Sequence, residues 1–507
     1  MLDFIERVGN RLPNAIMLFV WLSGVLILIS IVASLAGLSG IHPGTGERVV
    51  AQNLLTADIV RRFLVEMPRT FTGFPPLGTV LTVMIGIGIA ERTGLIAAAL
   101  GSMVRRVPGP FLALAVVFAG IMSSLAVDAG YVVLVPLGAA IFAAAGRHPI
   151  AGLAAAFAGV SAGFSANLLV TALDPLLGGI SQLAAQMLVP DYTVLATANW
   201  FLMIGLVPAF SIAGAFVTSR IIEPRLGTWE PNADAPVAPH AESADERRAL
   251  KITGLATLVL IAIIAALTVP ENAILRDPET GSLDPFFQAI VAITMLALAG
   301  LGIVYGGAMG SIRKSEDAIA MASDAMAAMA SYILLAFVAA HFLALFAWSN
   351  LGVLLAIGGG QLLQASGLGG VPLLMAMILV SGFINLFVGS ASAKWAILAP
   401  IFIPMFMLVG ITPEATQAAY RIGDSVTNII TPLLVYFPLI LVAAQRYVPK
   451  LGIGSLIATM MPHSIAFLIA GSAVLLAFLL FEIPLGPGTS VMMTPVAPPA
   501  AVAPPTG

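Results

Sequence analysis

The sequence has 507 residues, of which 59% are hydrophobic and only 9% are charged, with a formal net charge of −3 at pH 7. Soluble domains carry about 25% charged residues, so this composition excludes a water-soluble fold and predicts a polytopic membrane protein. Lys and Arg form no run longer than a pair, which argues against nucleic-acid binding. The lack of cysteine excludes disulfides and thiolate sites.

Apolar runs predict the membrane-spanning helices, each of which needs about 20 residues. Seven runs pass this test: 14–37, 77–100, 197–220, 252–270, 285–305, 327–348 and 460–482. Four further regions, 111–146, 149–187, 372–409 and 414–441, are too long for one span or are interrupted by Gly, Pro, Asn and Asp. We interpret 111–146 and 372–409 as re-entrant helical hairpins and the other two as broken helices. This predicts an all-α fold with about nine transmembrane helices and two hairpins.

The segments outside these spans complete a single transmembrane domain over residues 1–507. Segments 54–70 and 311–326 are amphipathic, which predicts helices lying along the membrane interface. Residues 484–507 form a Pro-rich, uncharged tail that we expect to be disordered. Lys and Arg are concentrated in alternate loops, which places the N-terminus in the cytoplasm and the C-terminus in the periplasm.

Two stretches of the sequence resemble each other and predict an internal repeat. SSLAVDAGYVVLVPLGAAIF (123–142) matches FVGSASAKWAILAPIFIPMF (387–406), and Asn167 aligns with Asn428 in the segments that follow. The repeat cores are residues 111–187 and 372–441, and the odd number of crossings between them inverts the second. Inverted repeats with broken helices are typical of secondary transporters, whose site lies near the midplane. Irregular backbone there must line a cavity, because in lipid its polar groups would have no partners.

Five charged residues fall at membrane depth: Asp128, Asp174, Lys394, Arg421 and Asp424. Such residues are costly and are functional candidates by default. Arg421 and Asp424 share one helix face, so they form either an intrahelical salt bridge or a site for an anionic substrate and a coupling cation. Asp174 either caps a half-helix or acts in transport. For Asp128 and Lys394, in the hairpin turns, we favour a structural role in which they reach interfacial water.

Oxygen-bearing side chains at the predicted breaks indicate a possible sodium site. The candidates are Asn167, Asn385 and Asn428, supported by Ser165, Ser390, Ser392 and Thr427. Hard oxygen ligands suit such a cation, although each of these side chains could instead make a helix–helix hydrogen bond. Trp395 lies near the midplane, where it either stacks on an aromatic ligand or packs. We interpret Glu91 and Arg92 as a local pair that ends the second span.

One motif would fit an enzyme. Residues 159–163 match G-x-S-x-G, which in hydrolases sits on a strand-to-helix turn beside a catalytic histidine. Here the motif lies inside an Ala/Gly-rich helix, so we interpret it as close helix packing. The sequence therefore predicts no enzymatic activity.

The segments GSASAKWAILAPIFIPMF and RIGDSVTNIITPLLVYFPL resemble the AbgT family, the p-aminobenzoyl-glutamate transporters of the ion-transporter superfamily. The resemblance implies a bowl-shaped homodimer in a bacterial inner membrane. It also implies uptake of p-aminobenzoyl-glutamate or, in some members, export of sulfonamides. The implied functional positions are Asp174, Ser392, Trp395, Pro413, Arg421, Asp424 and Pro432, with Ser390 beside them. A sodium site would be similar to one formed by Asn167, Asn385, Asn428 and Asp424.

The sequence and the resemblance together predict a secondary active, cation-coupled transporter of p-aminobenzoyl-glutamate-like folate catabolites. Its expected partners are a small aromatic anion, sodium or protons, the bilayer and a second copy of the chain. No cofactor is expected beyond a sodium ion. The alternative is a sodium-coupled dicarboxylate transporter, against which Trp395 argues. The sequence leaves the direction of transport open.

Overall fold

The computed structural model describes residues 15–42, 45–125, 130–229 and 243–496. Most of these residues are helical, which confirms the predicted all-α class. The described residues include one two-stranded antiparallel sheet, formed by β1 (Ser39–Ile41) and β2 (Arg48–Val50) in the loop after the first helix.

The longer helices are numbered in chain order. The first half of the chain contains α1 (Ala15–Leu35), α2 (Ala57–Thr72), α3 (Pro75–Arg92), α4 (Leu95–Arg105), α5 (Leu112–Met122), α6 (Val135–Ala144), α7 (Pro149–Phe157), α8 (Leu173–Ala185), α9 (Trp200–Val217) and α10 (Ala244–Thr268). The second half contains α11 (Ile290–Met309), α12 (Ser315–Ala328), α13 (Ala330–Trp348), α14 (Leu351–Ser366), α15 (Gly370–Asn385), α16 (Ala391–Met407), α17 (Pro413–Val426), α18 (Phe437–Gln445) and α19 (Ile453–Leu480).

Seven helical segments of the described chain are long and apolar enough to cross a membrane. They are Ile16–Leu35, Ala57–Arg92, Trp200–Leu226, Ala244–Thr268, Ile290–Met309, Ala330–Trp348 and Ile453–Leu480. Large apolar side chains on α10, such as Leu255 and Leu258, are about two-thirds exposed. An aqueous surface rarely carries such a continuous apolar face, so these helices are suited to lipid as their solvent.

The second predicted span has different boundaries from those read from the sequence. Its helix, α3, begins at Pro75 and ends at Arg92, whereas the apolar run was placed at 77–100. Gly94 has a φ of +85°, a left-handed conformation that favours glycine, and it separates α3 from α4. The apolar run continues through this turn, which is why hydropathy alone did not locate it.

Both regions predicted as hairpins consist of two short helices. The arms of the first, α5 and α6, have 11 and 10 residues, and those of the second, α15 and α16, have 16 and 17. Each arm is shorter than the roughly 20 residues of a full crossing. The nine crossings and the re-entrant course stay predictions. Asp128, in the first turn, lies outside the described residues.

The two broken helices predicted at 149–187 and 414–441 are present. The first is irregular between its π-helical turn, Ala158–Ala162, and the start of α8 at Leu173. The second is interrupted between α17 and α18. In each repeat the first hairpin arm packs along the helix that precedes the break, so α5 contacts α7 and α15 contacts α17. The two repeats therefore share one packing arrangement.

Glycines allow this close packing in both repeats. A Cβ at Gly159 would collide with the α5 backbone at Val117 and Gly120, and a Cβ at Gly423 would collide with the α15 backbone at Ile378. The G-x-S-x-G match at 159–163 is thus a helix contact, as the sequence predicted, because only glycine lets the two backbones approach this closely.

Two surface features can be compared with the sequence predictions. The amphipathic segments are helices, α2 and α12, and α2 buries none of its side chains. The tail is different: residues 484–496 are packed rather than disordered. Met492 forms a bridge with Ile411, and Thr412 Oγ1 donates to Ser490 O at 2.8 Å. These backbone pairings fix the segment against the start of α17 despite its prolines. Residues 497–507 lie outside the described part.

Candidate functional site

The two helix breaks meet along a buried seam of polar side chains. Ser165, in the first break, lies 2.7 Å from Ser425 of α17, Oγ to Oγ. Ser181 of α8 donates to Gln417 Oε1 of α17 at 2.7 Å. All four side chains are buried. The polar contacts between the two repeats thus lie at the first helix break and along α8 and α17, the helices that adjoin the two breaks, which is where the sequence predicted a site.

The first of two buried ion pairs joins the repeats directly. Arg421 Nη1 contacts Asp174 Oδ1, and both side chains are at most 3% exposed. Asp174 Oδ2 accepts hydrogen bonds from Thr171, through N at 2.5 Å and Oγ1 at 2.9 Å. Asp174 therefore accepts hydrogen bonds from a residue that precedes α8 in the first break and also forms an ion pair with the second repeat. Arg421 Nε and Nη2 have no hydrogen-bond partner within the described residues.

The second ion pair corrects one expectation from the sequence and excludes one of the alternatives that it left open. Lys394 Nζ lies 2.5 Å from Asp424 Oδ1 and also contacts Asn385 Oδ1. Lys394 is only 1% exposed, so it does not extend to interfacial water as we expected. Asp424 pairs with this lysine rather than with Arg421, its neighbour on α17. The hairpin turn brings the ammonium to the carboxylate, which helix spacing could not reveal.

Hydrogen bonds around Asp424 bring together three of the four predicted sodium ligands. Asn385 Nδ2 donates to the backbone oxygen of Asp424 at 2.8 Å, to Thr427 Oγ1 at 2.8 Å and to Asn428 Oδ1 at 2.9 Å. The fourth, Asn167, instead donates to Ser124 Oγ at 2.9 Å. Asp424 Oδ2 is buried and has no partner within the described chain.

Trp395 is packed between the repeats. Its ring is fully buried and stacks on Tyr420, with centroids 4.5 Å apart. Its Nε1 donates to Ser181 Oγ at 3.0 Å and to Leu177 O at 3.2 Å. The Tyr420 hydroxyl in turn lies 2.5 Å from Ala391 O and 3.2 Å from Asp424 Oδ1. Of the two interpretations left open by the sequence, this arrangement matches packing, and it connects Trp395 to the second ion pair.

The other predicted site residues lie at the ends of helices. Ser390 is the N-cap of α16, where its Oγ accepts from Ala393 N, and Ser392 Oγ lies 3.4 Å from Ser390 Oγ. Pro413 is the first residue of α17, and Pro432 lies in the second break. Roles for these four residues in substrate binding stay predictions.

A cavity of about 340 Å³ lies beside the first ion pair. Its wall includes Glu91 of α3, Phe164 and Thr171 of the first break, and Tyr332 of α13. The sequence did not predict that these residues line one cavity. Glu91 was interpreted as part of a local pair with Arg92, which stays a prediction; Arg92 also lies 4.0 Å from Asp324 on α12. A carboxylate near the end of an apolar span was the signal that could have identified it.

Comparison with known proteins agrees with this geometry. Residues 1–493 match the family model of the AbgT transporter family. The chain belongs to the AbgT family. The p-aminobenzoyl-glutamate transport protein of Escherichia coli (strain K12) is 40% identical over 487 residues, which cover 96% of each chain.

Two solved structures of AbgT-family transporters are also similar. The YdaH transporter of Alcanivorax borkumensis superposes with a TM-score of 0.89 at 46% identity, covering 94% of this chain and all of that one. MtrF of Neisseria gonorrhoeae, described within a class of antimetabolite efflux pumps, gives a TM-score of 0.90 at 42% identity, covering 96% and 99%. This AbgT-family protein is therefore a multi-pass membrane transporter of a small solute, and not an enzyme.

Proposed function

We propose that this AbgT-family transporter is a secondary active, cation-coupled carrier of p-aminobenzoyl-glutamate-like folate catabolites. The observation that carries the proposal is the pair of buried ion pairs, Asp174–Arg421 and Lys394–Asp424, beside the two helix breaks. Buried ionisable residues among apolar spans are expensive and mark transport pathways. The name of the E. coli relative supports the substrate class.

Arg421 forms the anion-binding part of the proposed site. Its guanidinium makes one contact with Asp174, while Nε and Nη2 are buried without partners in the described chain. Guanidinium groups bind carboxylates through two parallel N–H donors. Unpaired buried donors are unfavourable, so a substrate carboxylate would satisfy the donors that Asp174 leaves free. A glutamate moiety provides two such carboxylates.

Asp424 forms the cation-binding part of the proposed site. Its Oδ2 is buried without a partner in the described residues, and Asn385 Nδ2 joins the backbone oxygen of Asp424 to Asn428 Oδ1 through two hydrogen bonds. These three residues would hold a sodium ion, which contributes a mobile positive charge. Lys394 already contacts Asp424 and Asn385, so a sodium ion would compete with its ammonium for these oxygens. Protons remain the other candidate for coupling.

A second candidate function is export of sulfonamide antimetabolites. It is favoured by the 42% identity to MtrF, which is described within a class of antimetabolite efflux pumps. Sulfonamides and p-aminobenzoyl-glutamate share a 4-aminophenyl ring, so one ring site would serve both. The two functions differ in the direction of transport and in the number of carboxylates on the ligand.

The proposal extends to the cellular context of the transporter. We place it in a bacterial inner membrane as a homodimer, with a cytoplasmic N-terminus and a periplasmic C-terminus. The apolar faces of helices such as α10 support a lipid environment, and the family resemblance supports the dimer. Light scattering of the solubilised protein tests the dimer, which requires twice the chain mass of 52.3 kDa.

Uptake into proteoliposomes tests the transport function. Labelled p-aminobenzoyl-glutamate is supplied under an imposed sodium gradient and then under a proton gradient. We expect accumulation with one gradient and its loss in Asp424→Asn. Asp58→Asn, on the exposed surface of α2, is the matched control and should transport normally.

Two results would contradict parts of the proposal. No uptake under either gradient, with correctly inserted protein, would reject p-aminobenzoyl-glutamate as the substrate. Competition by excess succinate would favour the sodium-coupled dicarboxylate alternative, because a small aliphatic diacid shares the carboxylates but has no ring.

A further inference from the structure

The cavity beside Asp174 has the size of a small aromatic ligand. Its volume is about 340 Å³, and a cavity of roughly 150 Å³ lined by apolar side chains already holds benzene. Ligand pockets typically fall between about 300 and 1,000 Å³. The cavity therefore has room for a substituted phenyl ring together with the groups attached to it.

The walls of the cavity are mostly apolar, with two accessible aromatic rings. Phe164 and Tyr332 are half-buried and line the cavity, together with Val80, Ile87 and Leu176. Trp395, by contrast, is fully buried against Tyr420 and is absent from this lining. A ligand ring can therefore contact Phe164 and Tyr332 without displacing packed side chains. Offset and edge-to-face contacts of this kind favour aromatic ligands over aliphatic ones.

One carboxylate faces this apolar space. Glu91, on the last turn of α3, is the acidic residue of the cavity lining. The three side-chain hydroxyls of the lining donate within the protein, Ser124 to Ile121 O, Thr171 to Asp174 and Tyr332 to Pro76 O. A carboxylate has two oxygens and accepts several hydrogen bonds, so Glu91 can receive an N–H donor from a ligand in addition to its contacts within the protein.

Thr171 links the cavity to the anion-binding end of the proposed site. Thr171 belongs to the cavity wall and donates two hydrogen bonds to Asp174, the partner of Arg421. A ligand with an aromatic ring at one end and carboxylates at the other can thus extend from the cavity toward Arg421. This polarity matches p-aminobenzoyl-glutamate, whose ring carries an amine opposite its acyl-glutamate group.

We propose that this cavity is the subsite for the 4-aminophenyl ring, with Phe164 and Tyr332 contacting the ring and Glu91 accepting a hydrogen bond from the aryl amine. The inference rests on the proposed function and adds the source of its specificity. It assigns ring recognition to these three residues instead of Trp395. It also accounts for a single site that accepts both folate catabolites and sulfonamides, which share the amine.

Binding of two ligands to the purified full-length protein tests the subsite. The pair is p-aminobenzoyl-glutamate and benzoyl-glutamate, which differ only in the amine, and isothermal titration calorimetry measures each Kd. We expect the amine to tighten binding on the order of 10- to 100-fold, as a hydrogen bond to a charged acceptor does. In Glu91→Gln this preference should fall about tenfold, while benzoyl-glutamate binds as before. Glu66→Gln, on the interfacial helix α2, is the matched control.

The outcomes separate this inference from the proposed function. Equal Kd values for the two ligands in the unaltered protein would overturn the subsite and leave the transport proposal intact. Binding of neither ligand would reject the proposed substrate and the subsite with it. Phe164→Leu provides a second variant, which should weaken both ligands to a similar extent. If it weakens neither, the ring lies elsewhere.

Discussion

Replacing Lys394 with methionine removes the ammonium group that contacts Asp424 in the buried site. Both side chains are 1% exposed, so water cannot replace the lost partner. Asp424 Oδ1 would keep only the Tyr420 hydroxyl, at 3.2 Å, which Ala391 O shares at 2.5 Å, and Oδ2 already has no partner in the described chain. Removing one member of a buried ion pair typically costs about 3–5 kcal/mol, and we expect a loss in this range for Lys394→Met.

The matching change, Asp424→Asn, leaves the lysine buried without its counter-charge. Lys394 would retain Asn385 Oδ1, so we expect a loss near the lower end, about 3 kcal/mol. The double variant removes both charges and leaves only neutral polar groups with incomplete hydrogen bonding, at a cost of about 1–3 kcal/mol. It should therefore unfold less easily than either single variant.

Titration with sodium dodecyl sulfate in mild detergent measures the free energy of unfolding for the three variants. Residues in direct contact are expected to be strongly non-additive. If the double variant instead loses the sum of the single losses, roughly 6–8 kcal/mol, the two side chains act independently. That result would refute the argument that they form one buried pair.

Two further predictions concern helix packing and orientation. Gly423→Ala forces a Cβ against Ile378 O and Ser381 Oγ and should destabilise the protein by about 1–3 kcal/mol in the same titration. Gly300→Ala on α11, where a Cβ meets nothing within 4 Å, should be neutral or stabilise by up to about 1 kcal/mol, and equal effects would contradict the packing argument. Because the chain has no cysteine, Thr280→Cys should react with an impermeant maleimide on intact cells and Ser243→Cys only after permeabilisation. The reverse pattern would invert the predicted orientation.

The sequence was informative wherever polar residues interrupted apolar helices. Asn167 and Asn428 stand out in such runs because the bilayer penalises them, and their alignment predicted both helix breaks. The partners of the charged residues could not be predicted in the same way. Asp174 and Arg421 are 247 positions apart in the chain, and only the packing of two repeats brings them together. The short spacing of Arg421 and Asp424 left a local ion pair open as one of two alternatives, and the fold does not form it.

Composition and local sequence patterns did not predict the structure of the C-terminal segment or of the cavity. Residues 484–496 are rich in proline, yet a backbone bridge and side-chain hydrogen bonds to the start of α17 and to the loop before α9 hold them in place. The cavity of Glu91, Phe164 and Tyr332 was missed for a related reason. Its lining comes from separate helices and one break, so no local pattern marks it. Tertiary contacts, rather than local propensity, determine both features.

The two ion pairs have an electrical consequence for the transport cycle. With Asp174, Arg421, Lys394 and Asp424 all ionised, their charges sum to zero. A substrate-free carrier in this state can therefore reorient without moving net charge through the membrane field. A dianionic substrate adds two negative charges. Moving it across a membrane potential of 100 mV then changes its free energy by roughly 4.6 kcal/mol, at about 2.3 kcal/mol per charge. Two monovalent cations carried with it would make the loaded step voltage-independent as well.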